Sequence, residues 1–558
     1  MAGEYVFNLM QMTRQYDRKT VLDEVSLAFF FGAKIGVIGG NGSGKSSLLR
    51  ILAGIDQEYT GTVHIAPNQR IGYLPQEPVL DAGQTVQENV DAGVADARAV
   101  LARYDELCEL LGGDHDPEQQ AKLEDEFDRV QNQIDRNDLW ELDNHVERAM
   151  DALRLPTGDT DVSILSGGER RRVAICRLLL SNPDVLLLDE PTNHLDAEST
   201  AWLETYLKQY AGTLVVVTHD RYFLSNVTEW ILELENAQAI PYKGNYEQWL
   251  EQKQERVSRQ AKQSASRQKL LQQELAWVRL NASSRLTKNK ARLNRYEELA
   301  AQQADTREDN LQIRIPPGPR LGDVVVRATD LGKAYGERSI MEQVSFDLPR
   351  GGIVGVIGGN GAGKTTLFRM IVDQEEPTSG RLEVGPSVVV SYVDQLRDAL
   401  QPEETVFEAI TGGVDMVDLG GRPMNSRAYC ARFNFRGADQ QKPVGQLSGG
   451  ERNRVHLAKL LKTGGNLLLL DEPSNDLDVD TLRSLEEGLL DFGGCAVVIS
   501  HDRWFLDRIA THILAFEDEG GVTWFEGNYA AYHEHRRRLL GEEADRPKRI
   551  KFRAIHTQ

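Results

Sequence analysis

Cysteine is scarce in this chain. Four residues in 558, Cys108, Cys176, Cys430 and Cys495, are too scattered to form a disulfide framework, a metal knuckle or an iron–sulfur site. No run of about 18 apolar residues occurs, so no segment is expected to span a membrane. The start, "MAGEYVFNLMQM", has an acid at Glu4 and neither a basic n-region nor a small-residue cleavage pattern, which argues against secretion. Glycine and proline are missing from Asn245 to Ile315, and that stretch reads as long helices. Positive charge is short overall: 64 Lys and Arg stand against 85 Asp and Glu, a formal charge of −21. Hydrophobic residues, at 40%, suffice for several ordinary cores. The expectation is a soluble cytoplasmic protein of more than one domain.

The little positive charge there is lies concentrated. From Lys253 to Arg295, twelve basic residues face two acids, Glu255 and Glu274, so this segment carries +10 on a body near −31. The stretch "RLNASSRLTKNKARLNRY" places Arg279, Arg285, Lys288, Lys290, Arg292 and Arg295 together with no acid. A solvated helix face usually mixes signs to gain i,i+4 pairs. A segment that gives them up suits a polyanion, and RNA phosphate is the expected partner, since backbone and shape recognition need Lys and Arg but no sequence motif. "LNASSR" is the weakest helical point, dividing the segment into two helices of up to about 30 residues, roughly 45 Å each.

The chain repeats itself. "IGVIGGNGSGKSSLLRILAG" returns as "VGVIGGNGAGKTTLFRMIVD", "LSGGERRRVAICRLLL" as "LSGGERNRVHLAKLLK", and "LLLDEPTNHLD" as "LLLDEPSNDLD". In each copy an apolar strand feeds G-x-x-x-x-G-K-[ST]. The first loop holds Gly39, Gly40, Asn41, Gly42, Ser43, Gly44, Lys45, Ser46 and Ser47; the second holds Gly358, Gly359, Asn360, Gly361, Ala362, Gly363, Lys364, Thr365 and Thr366. Such a loop turns backbone N–H groups around a phosphate and adds the positive end of the next helix. Lys45 and Lys364 would reach the terminal phosphates of ATP, and Ser46 and Thr365 would hold Mg²⁺.

Two apolar strands ending in Asp-Glu follow. Asp189 and Asp471 belong at the Mg²⁺ shell, and Glu190 and Glu472 are placed to polarise water for in-line attack. Ser166, Gly167 and Gly168, and Ser448, Gly449 and Gly450, lead into helices and offer hydroxyl and N–H groups to an anion. These motifs together resemble the ATP-binding-cassette (ABC) ATPases. The resemblance implies two cassettes facing head to tail, with Ser448 completing the site of Lys45 and Ser166 that of Lys364. By the same resemblance, Gln76 and Gln395 sense Mg²⁺ and the attacking water, His219 and His501 contact the γ-phosphate, and Tyr16 and Tyr335 stack on adenine. The second copy departs from the commoner pattern at Ser474 and at Asp476, where the first has His194, yet its phosphate, metal and water positions remain, so both sites are expected to hydrolyse ATP.

Spacing locates an insertion. Lys to Gln is 31 residues in both copies, signature Ser to Asp is 23, and Glu to His is 29, but Gln to signature Ser is 90 in the first and 53 in the second. The 37 extra residues fall within 96–140, where Leu101, Tyr104, Leu107 and Leu111, then Leu123, Phe127, Val130 and Ile134, keep helical intervals on both sides of "GGDHDP". A helical hairpin is expected. From Asp96 to Asp138 thirteen acids oppose five bases, a charge that suits either a solvated face or a basic protein partner.

Two cassettes, a basic helical linker and an insertion in the first cassette resemble the ABC-F translation factors. "IGYLPQEP", "WLEQK", "IPPGPRLGD", "SRAYCARFNF", "SHDRWFLDRIATHIL" and "PKRIK" extend that resemblance over essentially the full length. It implies binding at the ribosomal tRNA exit site, with the linker near peptidyl-site tRNA and 23S and other rRNA, the insertion, or arm, on the L1 stalk, and the ATP/ADP ratio gating elongation. A monomer off the ribosome, with cassettes pairing intramolecularly and no membrane or transporter subunit, is expected. The alternatives are an antibiotic-resistance ABC-F protein that protects ribosomes and the ATPase subunit of a transporter. The expected fold is α/β: two tandem P-loop domains at 1–241 (arm about 96–140) and 321–532, a linker at 242–320 and a basic tail at 533–558.

Overall fold

Strands such as "VLLLD" and "TLVVV" have no polar face to offer water, so they belong inside a parallel sheet covered on both sides. The computed structural model places them so, and Val185–Asp189 and Thr213–Val217 are buried throughout. It describes residues 5–16, 19–113, 117–193, 195–256, 258–259, 313–336, 338–359, 361–392, 400–419, 423–447, 449–474, 477–517 and 521–540.

Each cassette has the same two sheets. In the first, the strands run in the order Ile71–Leu74, Val185–Asp189, Thr213–Val217, Lys34–Gly39, Trp230–Glu235, Gln238–Lys243, all parallel except the last. The second repeats this order with Val390–Tyr392, Leu467–Asp471, Cys495–Ile499, Ile353–Gly358, His512–Phe516 and Val522–Glu526. A three-stranded antiparallel sheet completes each copy: Lys19–Phe30, Tyr5–Tyr16 and Thr60–Ile65, and likewise Arg338–Asp347, Val326–Tyr335 and Ser379–Val384. Between the two sheets lies the phosphate-loop helix, Lys45–Leu52 or Lys364–Ile371. In the first cassette its Leu48 and Leu49 share one core with Val6, Phe7, Leu187 and Val215.

The insertion is the expected hairpin, helices Ala95–Leu111 and Pro117–Arg136. Leu107 and Ile134 are fully buried, Tyr104 stacks on Phe127 at 5.0 Å and meets Trp140 edge-on at 5.2 Å, and Arg103 pairs with Glu126 at 2.9 Å. Its acids therefore ride on a rod with its own small core.

After the last strand of the first cassette the chain enters a helix, residues 246–256, whose Tyr246 and Trp249 are buried on the cassette. From residue 260 the basic segment lies outside the described residues, and with it Arg279, Arg285, Lys288, Lys290, Arg292 and Arg295. The helix Tyr529–Leu540 runs across the expected boundary at residue 532, with its own Tyr532 buried and its Arg536 reaching Glu198 of the first cassette at 2.7 Å. No helix among the described residues is long and apolar enough to cross a membrane.

The cassettes meet about a pseudo-two-fold axis that the numbering makes visible. Arg221 of the first pairs with Glu486 of the second at 2.7 Å, and Arg503 of the second pairs with Glu204 of the first. Each pair is the other shifted by 282 positions, as a self-complementary interface requires. Tyr222 and Trp504 touch across the same axis, ring centroids 5.3 Å apart.

Candidate functional site

The phosphate loops come first, because their backbone is the most constrained. Gly44 and Gly363 cap their helices in the left-handed region, at φ 99° and 104°, where a side chain would be strained; at Gly363 a Cβ would lie 2.1 Å from Ile340. Each lysine folds back over its own loop. Lys45 Nζ donates to the carbonyls of Gly39 (2.7 Å) and Gly40 (3.2 Å), and Lys364 Nζ to those of Gly358 (2.7 Å) and Gly359 (3.1 Å). Burial holds both ammonium groups below their ordinary range, although Glu190 and Glu472 respectively oppose it. A buried cation at the first turn of a helix is a ready receptor for a polyphosphate.

Beside each loop stands a hydroxyl–carboxylate pair. Thr365 Oγ1 donates to Asp471 Oδ2 at 3.1 Å, and Ser46 bonds Asp189 in the first cassette. Burial raises Asp189 despite Ser46 and the nearby Arg171 and Lys45, so its charge calls for a cation. A hydroxyl with a carboxylate is a hard oxygen set that leaves room for phosphate oxygens and water, which fits Mg²⁺. Among the described residues no cluster of three or more His, Cys, Asp or Glu offers a different kind of metal site.

The next residue, Glu190 or Glu472, leaves the strand in a left-handed conformation, φ 52° and 48°. Such strain persists only where the surroundings impose it. Here the residue's N–H is held by the neighbouring strand, Glu190 to Val217 at 2.7 Å and Glu472 to Ile499 at 2.9 Å, and the turned-out carboxylate meets the histidine. His219 Nε2 lies 3.4 Å from Glu190 Oε1 and His501 Nε2 the same distance from Glu472 Oε1; the backbone N–H of each histidine donates to the other oxygen, 3.3 Å in each case. His501 also lies 3.3 Å from Lys364 Nζ. Burial, aided by Lys45, drives His219 well below its usual pKa, leaving it neutral. Burial pushes Glu472 up to about 8, a base strength matched to accepting a proton near neutrality.

The second site is a cavity of about 800 Å³ lined by residues of both cassettes. Tyr335, Lys364, Thr365, Glu472 and His501 line it from the second cassette; Ser166, Gly168 and Arg172 come from the first. Ser166 caps the helix Gly167–Leu180 in a reciprocal box with Glu169, so its hydroxyl and the helix's leading N–H groups sit at the cavity wall. The sequence reading that joins Lys364 to Ser166 thus has its residues in one cavity. The matching residues Gln395, Asn360 and Ser448 lie outside the described residues. Tyr16 and Tyr335 are partly exposed, each tied through its hydroxyl to the segment after its phosphate-loop helix.

Two sets of residues escaped the sequence reading. Arg171, buried in the helix Gly167–Leu180, donates to the carbonyls of Gln76, Asp189 (2.5 Å) and Glu190 (2.6 Å), and so ties the signature helix to the metal and water positions of its own cassette. The second copy has Asn453 there, a difference visible in the repeat itself. The Arg221–Glu486 and Arg503–Glu204 pairs were also missed, although "HDR" recurs in both copies.

A family model described as ABC transporter matches residues 22–193 and 341–475, and a second of the same description matches 232–315. The chain is 53% identical over 557 residues to the energy-dependent translational throttle protein EttA of Haemophilus influenzae, covering all of both chains. It is 54% identical over 539 residues to that of Escherichia coli (96% and 97% covered) and 54% over 558 residues to that of Mycobacterium tuberculosis (99% of each). Among solved structures, archaeal ribosome recycling factor aABCE1, in complex with the ribosomal stalk protein aP1, superposes with a TM-score of 0.60 at 20% identity, over 98% of this chain and 96% of that one, a likeness of fold. With relatives this similar along the whole length, and both cassettes matched by the family model, the chain is an ABC-F ATPase and belongs to the EttA family.

Proposed function

We propose that this protein is an ATP-hydrolysing translation factor that binds the ribosome at the tRNA exit site, contacts peptidyl-site tRNA and rRNA, and gates elongation according to the ATP/ADP ratio. The observation that carries the reading is 53–54% identity, end to end, to proteins named as energy-dependent translational throttles. Two complete sets of phosphate, metal and water residues support the energy dependence.

In this reading ATP lies with its phosphates on Lys45 or Lys364 and the following helix N-terminus, and its adenine on Tyr16 or Tyr335. Ser46 with Asp189, and Thr365 with Asp471, hold Mg²⁺, joined by Gln76 and Gln395. Bound there, Mg²⁺ supplies charge neutralisation of the phosphate oxygens. Glu190 and Glu472 orient the attacking water and take its proton, and His219 and His501 donate to the γ-phosphate. Ser448 and Ser166 reach each nucleotide from the opposite cassette. A ligand touched by both halves favours the closed form by its differential affinity, and hydrolysis removes that preference. The cycle therefore converts the ATP level into a closed or open molecule.

The finer contacts belong to the same proposal. The linker bases Arg279, Arg285, Lys288, Lys290, Arg292 and Arg295 face tRNA and rRNA phosphate, and the acidic arm, a rigid aromatic-cored hairpin, meets the L1 stalk. Off the ribosome the chain is a cytoplasmic monomer whose cassettes pair with each other, without a transporter subunit. Co-sedimentation with purified ribosomes under ATP, ADP and no nucleotide tests this. Retention that differs between ATP and ADP is expected; nucleotide-independent failure to pellet would overturn it.

A further inference from the structure

The tyrosines assigned to adenine are held from behind by a constellation repeated at identical spacing in the two cassettes. Two residues before each tyrosine is a base, Arg14 or Lys333; 34 residues after it an arginine, Arg50 or Arg369; and 40 residues after it an acid, Asp56 or Glu375. These positions converge in space. The Arg14 guanidinium lies 4.1 Å from the Tyr16 ring centroid, and Lys333 Nζ lies 5.0 Å from that of Tyr335. Arg14 Nε donates to Asp56 at 3.0 Å, and Lys333 Nζ pairs with Glu375 at 3.5 Å. The same acid accepts the tyrosine hydroxyl, Tyr16 to Asp56 at 3.2 Å and Tyr335 to Glu375. Arg50 donates to the Tyr16 hydroxyl at 3.3 Å, and Arg369 pairs with Glu375 at 3.5 Å.

We propose that Arg14 and Lys333 are positioning residues for nucleotide base recognition: each covers one face of its tyrosine and, through Asp56 or Glu375, fixes the ring so that its other face is offered to the purine. This rests on the reading of Tyr16 and Tyr335 as base platforms.

Three physical consequences support it. A cation over one face of a phenol ring is attracted by its quadrupole and occupies that face. A ring whose hydroxyl and back face are both held loses little freedom when a base stacks on it, so less of the stacking free energy is lost to ordering. The Tyr16 hydroxyl also lies 3.1 Å from Ser47 Oγ, next to the metal-holding Ser46, so the platform is registered against the phosphate loop. The Asp56 carboxylate remains charged as this role requires. Burial alone would raise it, but the Glu58 N–H and the Arg14 guanidinium bring it below its ordinary range.

The clamps are unequal. Arg14 is buried and grips two acids, Asp56 and Glu58 (3.1 Å), and the Gln15 carbonyl (3.0 Å), whereas Lys333 holds one acid and the Glu376 carbonyl (2.7 Å). The first site therefore offers the better-fixed platform.

The test uses the full chain with one site silenced at a time and compares MgATP with magnesium tripolyphosphate, which has no base. In the Lys364→Ala background, Arg14→Met should weaken ATP binding about fivefold, the size of a partly desolvated cation–π contact, and leave tripolyphosphate binding within about twofold. Arg14→Lys should restore most of the ATP affinity, and Lys333→Met in the Lys45→Ala background should show the smaller effect. Equal loss for both ligands, or no loss for either, would overturn the proposal. Tyr16→Leu without effect on ATP would overturn the platform reading beneath it. Tripolyphosphate that fails to bind the otherwise unaltered Lys364→Ala chain would contradict the phosphate-site reading instead, which separates the failures.

Discussion

Replacing Arg221 with Met should open the molecule without unfolding it. Arg221 and Glu486 are 2% and 0% exposed and 2.7 Å apart, one on each cassette. Removing one partner of a buried pair costs about 3–5 kcal/mol, because the remaining charge stays desolvated. Burial already pushes the Glu486 carboxyl above its ordinary range even with Arg221 and Arg508 beside it. Arg508 remains at 3.0 Å as a counter-charge, which places the effect near the lower end, about 3 kcal/mol. The pair joins the cassettes and belongs to neither core, so this free energy falls on the closed–open equilibrium and shifts it by about two decades. Fluorescence transfer between labels on the two cassettes should report less ATP-driven closure, with ATPase turnover falling in parallel and the melting of each cassette unchanged. Glu486→Met should behave alike, and the double substitution should recover much of the loss, giving a coupling of about 2 kcal/mol in the cycle. Additive single effects, or normal closure in Arg221→Met, would refute the reasoning.

Three other outcomes are expected. Changing Arg285, Lys288, Lys290, Arg292 and Arg295 to Glu should weaken ribosome binding and flatten its dependence on salt, since fewer phosphate contacts release fewer counterions; an unchanged salt series would exclude RNA contact by this segment. Deleting about 37 residues within 96–140, where the arm packs on its own Leu107 and Ile134, should spare ATP hydrolysis and remove translational control in a reconstituted synthesis assay; loss of nucleotide binding would make the arm part of the cassette. Glu472, with a folded pKa of about 8 against an ordinary 4.5, makes the nucleotide-free folded chain the stronger proton binder, so stability should decline as pH rises through that interval. Glu472→Gln should flatten the decline in thermal melts at pH 5 to 8, and an unaltered slope would show that the carboxyl is not buried as described.

Local signals were readable because they are local. A phosphate loop is a backbone requirement written in glycines; a parallel strand is an apolar run; and the arm declared itself through Leu107, Phe127 and Ile134 at helical intervals and a 37-residue spacing mismatch. What the sequence hid is long-range. Arg171 looks like one more base on a helix until the fold brings the carbonyls of Gln76 and Asp189 to it. Arg221 and Glu486 lie 265 residues apart, and nothing near either shows that burial will force them together. Arg14 and Lys333 gain meaning only when the strand carrying the tyrosine is packed against the segment after the phosphate-loop helix. For the last two the repeat held a usable clue, an equal offset between copies, and for Arg171 a difference, Asn453 in the second copy, but the physical partner was legible only in three dimensions.

The central claim, that ATP holds the closed form on the ribosome and hydrolysis releases it, is tested most directly by changing Glu190 and Glu472 together to Gln. The substitution keeps shape and hydrogen bonding but removes the carboxylate that accepts the water's proton, so ATP should stay bound and unhydrolysed. Ribosome pelleting beside a reconstituted synthesis assay should then show ATP-dependent accumulation on ribosomes and arrested synthesis, while Lys45→Ala with Lys364→Ala shows neither. A Gln variant that binds ATP yet neither lingers on ribosomes nor slows synthesis would contradict the account.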